Sequence, residues 1–368
     1  MKLQKNMSNR KTVLVGLSGG VDSSVAALLL KKQGYNVIGC FMKNFSDTKN
    51  PLTGECSWIE ERKMAQKISS VLQIPFMTLD YENQYKSKVI NPMFKSYSQG
   101  RTPNPDVSCN TLIKFPALLK AARENKADYI STGHYAKITA DEYGLHLNSG
   151  KDKKKDQSYF LYGLKESQLK KILFPLQDLK KEKVREIARV NKFPNWNKKG
   201  TRGICFVGKT DMKMFLKNNI KEKPGKILSP EGKEIGAHPG ISYFTIGEKV
   251  GPKKGVFISD KYRDKEKERI YVAAKKGDYL IIAPKNHRLL QARKINLKRF
   301  HKINPKEKIQ FSNLRIRIRH LGNLLPGKMR LNKNQCVFYL KKPTQGIAPG
   351  QVAVIYQKKR VIGGGIIS

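Results

Sequence analysis

Short apolar runs alternate with segments of helical spacing over the first 135 residues of the chain. The apolar runs predict strands at residues 12–16, 36–41, 76–79 and 127–132. Between them, residues 61–72 have helical periodicity, and the apolar residues 25–30 follow a glycine turn. Alternating strands and helices favour a parallel, doubly wound α/β sheet. In such sheets ligands bind at the carboxyl ends of the strands.

The pattern changes after about residue 220, where short β-type runs separated by Gly and Pro dominate. These runs lie at residues 225–228, 241–246, 269–272, 314–318, 337–340 and 352–355. They predict a small central β-rich domain and a C-terminal antiparallel β-barrel. The predicted domains are therefore a catalytic α/β domain over residues 1–215, the central domain over 216–280 and the barrel over 281–368.

The strong positive charge of the chain indicates a class of binding partner. The net charge is +44, and residues 281–368 hold 20 Lys plus Arg against one acidic residue, Glu307. A bias toward Lys on solvated faces would raise the total. It does not explain so one-sided a segment, which favours binding of RNA or DNA.

The cysteines and the hydropathy of the chain indicate the cellular compartment of the protein. The five cysteines are widely spaced and form no CxxC pair, which argues against a zinc ribbon, an iron–sulfur cluster or a secreted disulfide framework. No apolar run has the length of a membrane span, and the basic segment over residues 1–11 lacks the hydrophobic core of a secretory signal. We expect a cytoplasmic protein with one or two working thiols and no membrane partner.

The turn after the first predicted strand is the first candidate for chemistry. Residues 18–24 read SGGVDSS, between an apolar strand and an apolar helix. Gly19 and Gly20 let backbone N–H groups approach an anion, and the helix N-terminus adds its positive dipole end. No Lys follows the glycines, so this is not a GxxxxGK[ST] loop. It resembles the PP-loop of the ATP pyrophosphatases, which split ATP to AMP and pyrophosphate.

Residues 100–110, GRTPNPDVSCN, form the second candidate. Two prolines stiffen the segment, which presents Asn104, Asp106 and Cys109. An apolar helix is predicted over residues 112–122, so Cys109 is expected near a helix N-terminus, where a thiol pKa falls. A buried structural cysteine beside a turn is the alternative. Cys205, in the apolar run GICFVG (203–208), is by itself more typical of a core position.

Together these segments resemble one family. The order and spacing of seven segments are similar to those of the tRNA-specific 2-thiouridylases: SGGVDSS, residues 42–44, GRTPNPDVSCN, Lys114-Phe115, STGHYAK (131–137), KDQSYFLY (155–162) and GICFVG. The likeness extends almost end to end, to residues 349–351 and 363–367. It implies a tRNA sulfurtransferase that adenylates O2 of the wobble uridine and replaces this oxygen with sulfur.

The resemblance also implies site residues. ATP, with Mg²⁺, would be held by the loop and by residues after two other strands: Gly16, Leu17, Ser18, Gly19, Gly20, Val21, Asp22, Ser23, Met42 and Gly133. Asp106 would be the acid/base, Cys205 the persulfide carrier and Cys109 the thiol that attacks it, with a Cys109–Cys205 disulfide as one outcome. No metal site built by the protein itself is predicted.

The resemblance further implies RNA contacts. The target base would be flipped into a pocket shaped by Asn104, Pro105 and Asp106. Other tRNA contacts would come from Lys155, Asp156, Gln157, Arg319 and His320. Lys155 belongs to a charge run that would be solvated in any case. The expected partners are tRNAs for Lys, Glu and Gln, and a sulfur-relay protein or cysteine desulfurase.

One segment departs from the family. Residues 200–202 read Gly-Thr-Arg, where the family typically has Asp-Ser-Thr, so any metal or ATP role of this loop is in doubt. Two alternatives remain. A small-molecule ligase or amidotransferase of the PP-loop type would not need the basic barrel and the paired thiols. A non-catalytic RNA-binding protein would not need an intact SGGVDS.

Overall fold

The computed structural model describes residues 10–46, 56–200, 212–221, 223–252, 255–259, 269–332 and 335–368. Within these ranges the chain forms three sheets, and one hydrophobic cluster connects a face of the first sheet with the second sheet and with part of the third. The first is parallel, as predicted, and the last closes into a barrel.

The first sheet has five parallel strands in the order β3-β2-β1-β4-β7. Its strands are β1 (Thr12–Gly16), β2 (Asn36–Lys43), β3 (Phe76–Asp80), β4 (Tyr129–Ser131) and β7 (Ile172–Leu173). β1 is buried on both faces, which explains its continuous apolar run. Val13 and Val15 point into one core cluster and Leu14 into another.

Helices cover both faces of this sheet. Val13 and Val15 share their cluster with α1 (Val21–Lys32), α2 (Ser57–Leu72) and α8 (Lys181–Val190). Leu14 shares the opposite one with the remaining helices of the domain and with α9: α3 (Glu82–Tyr85), α4 (Asn91–Ser98), α5 (Pro105–Cys109), α6 (Phe115–Glu124), α7 (Glu166–Leu169) and α9 (Met212–Lys217). This is the predicted doubly wound arrangement.

The second sheet has the strand order β10-β9-β8-β12-β11. It contains β8 (Gly225–Leu228), β9 (Glu234–His238), β10 (Phe257–Ile258), β11 (Ile270–Lys276) and β12 (Tyr279–Pro284). The sheet extends to Pro284, a few residues beyond the predicted boundary at 280. The predicted β-type run at 241–246 is wrong in part, because Ile241–Tyr243 forms a 3₁₀ turn. This turn lets the Tyr243 hydroxyl donate to the Ile220 carbonyl at 2.8 Å.

The third sheet is an antiparallel barrel, as predicted. Its strands are β13 (Gln291–Lys302), β14 (Leu314–Arg317), β15 (Leu325–Asn332), β16 (Gln335–Gln345), β17 (Val352–Gln357) and β18 (Arg360–Ile367). Pairing of β13 with both β16 and β18 closes the barrel. Ile295, Phe338 and Ile355 are fully buried within its core.

A hairpin from the first domain extends the barrel sheet. β5 (Ala136–Asp141) and β6 (Gly144–Ser149) pair with each other, and Asn148 of β6 pairs with Arg360 of β18. This pairing therefore joins the predicted domain of residues 1–215 to the barrel. No helix among the described residues is long and apolar enough to cross a membrane.

Candidate active-site cleft

The loop that carries SGGVDSS joins β1 to α1 at the carboxyl edge of the parallel sheet. Gly19 has φ +69°, and a Cβ atom there would lie 2.5 Å from the carbonyl oxygen of Glu61. Only glycine fits this position without moving backbone. The loop path therefore depends on both the left-handed conformation and the close approach of α2.

Hydrogen bonds from the loop's own side chains fix its shape. The Ser23 hydroxyl accepts from the Ser18 amide at 3.2 Å and donates to the Gly20 carbonyl at 3.0 Å. The buried Asn195 amide donates to the Gly19 carbonyl at 3.1 Å. Gly20 is the N-cap of α1 and no side chain caps this end. The first amides of α1 therefore suit an anion.

Two other strands bring residues to the same edge, as predicted. Met42, near the end of β2, and Gly133, just after β4, both line the cleft beside the loop. A Cβ atom on Gly133 would lie 2.6 Å from the Ser23 nitrogen. The segment after β4 thus packs backbone against backbone on the loop.

Asp22, in the first turn of α1, is held by two groups from distant segments. The Tyr135 hydroxyl donates to Asp22 Oδ1 at 2.7 Å, and Lys181 Nζ donates to the same oxygen at 2.5 Å. Asp152 accepts from the Lys181 backbone amide at 2.9 Å and so caps α8. Asp22 is thereby oriented at the loop end of the cleft, with a third of its side chain exposed.

The wall opposite the loop is a helical stretch that starts earlier than predicted. It runs through α5, a π turn at Asn110–Lys114 and α6. Pro105 takes the first helical position, and Asn104 Oδ1 accepts from the Val107 amide at 3.2 Å as the N-cap. Asp106 therefore occupies the first turn. The helix was predicted to start at 112, after Cys109, but it starts at Pro105, so Cys109 lies within it in the second turn and is fully buried.

Four residues of this stretch line the cleft at intervals of four: Asp106, Asn110, Lys114 and Leu118. Asn110 is buried, and its Nδ2 donates to the Asp106 carbonyl at 3.0 Å. Its Oδ1 has no hydrogen-bond partner within the described residues. At the far end, a Cβ on Gly16 would be 3.3 Å from Leu118 Cδ1, so the helix reaches the base of the loop.

The resulting cleft has a volume of about 710 Å³. It brings together predicted residues from distant parts of the chain: Gly16, Leu17, Ser18, Gly20, Val21, Asp22, Ser23, Met42, Asp106, Gly133, Lys155, Gln157 and His320. Asn104, Pro105, Cys109, Asp156 and Arg319 do not line it, and Gly19 shapes the loop from behind. Cys205 lies outside the described residues.

The mouth of the cleft is basic and is braced by a buried ion pair. Lys155 is exposed, whereas its neighbour Asp156 is buried and pairs with Arg317 Nη1 at 2.8 Å. His320 Nε2 donates to the Asp156 carbonyl at 2.9 Å, and its ring lies 4.2 Å from that of Phe160. Burial lowers the pKa of His320. Asp156 therefore holds Arg317 and His320 in place at the mouth and does not present its carboxylate to the cleft.

Two further residues that line the cleft, His134 and Glu61, have shifted pKa values. Burial, with a smaller effect of the Lys114 charge, lowers the pKa of His134 well below its ordinary value. The Thr132 hydroxyl and His134 Nδ1 lie 2.7 Å apart. Burial raises the pKa of Glu61, and the charge of Lys198 partly opposes this shift. The His134 imidazole is therefore neutral at pH 7, and the positive charge that acts on it is that of Lys114.

Two cysteines to which no chemical role was given are unreactive in character. Burial raises the pKa of Cys40 and that of Cys336 to about 12. A thiol with so high a pKa forms little thiolate at neutral pH.

Sequence reasoning missed several side chains that build the cleft. Tyr135 was within reach, because it lies in the motif STGHYAK that was already singled out. Lys181 and Asn195 carry no local signal: they follow the loop by more than 150 residues and meet it only through packing of α8 and the turn after it.

Comparison with known proteins agrees with this architecture. Residues 11–209 match the family model described as tRNA methyl transferase HUP domain. Residues 213–282 match the tRNA methyl transferase PRC-barrel domain, and residues 292–367 match the aminomethyltransferase beta-barrel domain.

Curated relatives match nearly the whole chain. One from Lactobacillus helveticus is 38% identical over 366 residues, which cover 98% of this chain and 96% of that protein. One from Geobacillus kaustophilus is 39% identical over 362 residues, covering 97% and 95%. One from Streptococcus thermophilus is 38% identical over 372 residues, covering 98% and 96%. All three are named tRNA-specific 2-thiouridylase.

Proposed function

The chain belongs to the family of tRNA-specific 2-thiouridylases, and we propose that it adenylates O2 of a wobble uridine in tRNA and replaces this oxygen with sulfur. One observation carries the proposal. A single cleft joins an anion-binding loop, the carboxyl group of Asp106 and a basic mouth formed partly by the barrel. Such a cleft suits a reaction between a nucleoside triphosphate and a polyanionic second substrate.

The loop side of the cleft fits ATP. The amides at the start of α1 and the bend at Gly19 would hold the phosphates, and Met42 and Gly133 would line the nucleoside side. Lys181 and Lys198 add positive charge there. These features repeat the anion-binding geometry of other strand–loop–helix junctions.

Magnesium fits the same end of the cleft as a companion of ATP. No group of three or more His, Cys, Asp or Glu residues that could hold a metal exists within the described part of the chain. Mg²⁺, however, commonly binds one or two carboxylates together with substrate phosphates. Asp22 would be the protein ligand, because Tyr135 and Lys181 occupy only its Oδ1. Bound Mg²⁺ would neutralise phosphate charge.

Activation of the base would take place between Asp106 and the loop. Uridine O2 attacks the α-phosphorus, the bond from that phosphorus to the bridging oxygen breaks, and pyrophosphate leaves. The proton on uridine N3 passes to the Asp106 carboxylate. Asn104 and Pro105 support this step indirectly, because they start the helix that carries Asp106. Adenylation converts O2 into part of a good leaving group, AMP.

Sulfur transfer would use the two cysteines that the family resemblance implies. Cys205 carries the persulfide, and the Cys109 thiolate attacks its inner sulfur. A Cys109–Cys205 disulfide forms and hydrosulfide is released, which attacks C2 of the base and expels AMP. Cys109 is fully buried. The wall around it must therefore open before the two sulfur atoms meet.

The basic mouth and barrel would bind tRNA. Lys154 and Lys155 are exposed at the mouth, with Arg319 exposed nearby on the barrel. The excess of 20 basic residues over one acidic residue in 281–368 suits many phosphate contacts. A flipped uridine would then reach Asp106. The proposed substrates are tRNAs for Lys, Glu and Gln, with a relay protein or cysteine desulfurase as sulfur donor.

The decisive experiment measures pyrophosphate release from ATP with and without tRNA, followed by analysis of the tRNA for 2-thiouridine after a persulfide donor is added. We expect release that depends on tRNA. Asp22→Ala should abolish it while leaving tRNA affinity within about twofold, since Asp22 lies at the ATP end. Asp178→Ala, at an exposed carboxylate paired with Lys137, is the matched control. Release that is independent of tRNA, with no thiolated base, would contradict the proposal.

A further inference from the structure

The helical wall of the cleft carries one cation between the two reacting ends. Asp106, Asn110, Lys114 and Leu118 follow one another at intervals of four along the face that lines the cleft. Asp106 marks the end proposed for the base, and Leu118 contacts Gly16 at the base of the loop. Lys114 therefore lies one turn from the loop contact, on the way from phosphate to base.

Lys114 lines the cleft next to a helix position that packs on the segment after β4. Phe115, the next residue, packs its ring 5.8 Å from that of His134. His134 directly follows Gly133, whose backbone packs on Ser23. Lys114 and His134 both line the cleft, and the charge of Lys114 contributes to lowering the pKa of His134. Because His134 is neutral, it does not supply the positive charge on this side.

The other cations of the cleft have different positions. Lys181 pairs with Asp22, and Lys198 donates to the Gly19 carbonyl at 3.4 Å, so both contact the loop itself. Arg185 donates to the Lys198 carbonyl at 3.4 Å, and Lys199 is exposed. Lys154 and Lys155 are exposed at the mouth. Lys114 is half-buried and comes from the same helix face as Asp106.

We propose that Lys114 is a catalytic residue of adenylation, whose ammonium contacts the α-phosphate and stabilises the charge on its non-bridging oxygens while uridine O2 displaces pyrophosphate. This inference rests on the proposed function. Lys114 takes part in no covalent bond: one P–O bond forms, one breaks, and the N3 proton goes to Asp106. A cation that is already in place needs no reorganisation as the charge develops, so its contribution falls on the chemical step.

The test is single-turnover pyrophosphate release with saturating ATP and tRNA, together with tRNA affinity. Lys114→Met should lower the rate about 10²- to 10³-fold, as expected for removal of one group that stabilises transition-state charge, with tRNA affinity changed less than about threefold. Lys114→Arg should restore part of the rate, because it keeps the charge. The matched control is Lys120→Met, since Lys120 lies on the exposed side of the same helix, 3.8 Å from Glu124.

The outcomes separate the two levels of the argument. If wild-type protein thiolates tRNA and Lys114→Met matches Lys120→Met in rate, the catalytic role is wrong and the proposed function stands. A loss confined to tRNA affinity would likewise overturn it, since Lys114 would then be an RNA contact. A wild-type protein without tRNA-dependent release would overturn both proposals. Unfolding temperatures within about 2 °C of wild type show that each variant is folded.

Discussion

A single methyl group on Gly133 is expected to impair catalysis by displacing the phosphate loop. In Gly133→Ala the new Cβ would lie 2.6 Å from the Ser23 nitrogen and 2.7 Å from the Asp22 carbonyl carbon. Ordinary contacts of a Cβ atom begin at 3.4 Å. The two backbones must therefore separate by about 0.8 Å, and neither partner is the flexible end of a side chain.

The size of the effect follows from what moves. Ser23 forms hydrogen bonds with Ser18 and Gly20, and Tyr135 orients Asp22. A displacement of the Asp22–Ser23 backbone therefore displaces the whole loop. A misplacement of about 1 Å in a reacting geometry costs about 10²-fold in rate. We therefore expect Gly133→Ala to lower tRNA-dependent pyrophosphate release by about that factor.

The assay compares Gly133→Ala with Gly251→Ala. No heavy atom of the described residues lies within 4 Å of an added Cβ at Gly251, and its backbone is not left-handed, so this substitution controls for the loss of a glycine alone. tRNA affinity should be unchanged in both variants. A Gly133→Ala protein that releases pyrophosphate within about threefold of the Gly251→Ala protein would refute the reasoning, because the loop would then tolerate or avoid the displacement.

Three other predictions follow from charge, thiol chemistry and a buried amine. Affinity for tRNA should fall by about 10³-fold or more between about 50 and 200 mM salt, measured by filter binding, because the basic residues of 281–368 displace counterions; a flat response would remove the barrel from the RNA interface. Cys205→Ser should fail to acquire persulfide sulfur, and Cys109→Ser should acquire it but fail in thiolation, while both adenylate tRNA normally. Cys336→Ala removes a thiol whose pKa burial raises to about 12, so it should thiolate normally at a stability cost of about 0.5–3 kcal/mol. Mass spectrometry of the enzyme and a 2-thiouridine assay of the tRNA check these outcomes. Burial lowers the pKa of Lys275 to about 8, so the folded protein binds fewer protons than the unfolded chain between about pH 8 and 10.5. The free energy of unfolding should therefore gain a contribution that increases with pH across that window. Urea unfolding of Lys275→Met should lack this contribution, and a pH profile identical to that of the wild type would contradict the prediction.

The junction between hairpin and barrel uses the one acidic residue of the C-terminal segment. Arg360 Nη1 lies 3.0 Å from Glu307 and its Nη2 lies 2.7 Å from Asp141 of β5. His146 of β6 is buried and lies 2.7 Å from the same Asp141. Glu307 is itself buried, and its charge is offset by Arg360 within this network. The network therefore joins the barrel to the hairpin of the first domain.

The sequence by itself determined the local chemistry of this protein. A β-branched run followed by SGGVDSS specifies strand, anion-binding turn and helix, because small residues and a helix start act over a few neighbouring positions. Alternating patterns likewise specified the parallel sheet and the antiparallel barrel. The proline-stiffened segment also singled out Asp106, to which the family resemblance gave an acid/base role, and the structure brings Asp106 to the same cleft as the loop.

Only the tertiary structure decided which distant groups complete the cleft. Tyr135 and Lys181 reach Asp22 across 113 and 159 residues, a distance over which no local pattern carries information. The start of the wall helix at Pro105, rather than after Cys109, depends on a cap and a π turn that apolar periodicity does not report. Lys114 shows the same limit: its charge is visible in the sequence, but its place between loop and base end is set by how that helix packs on β1.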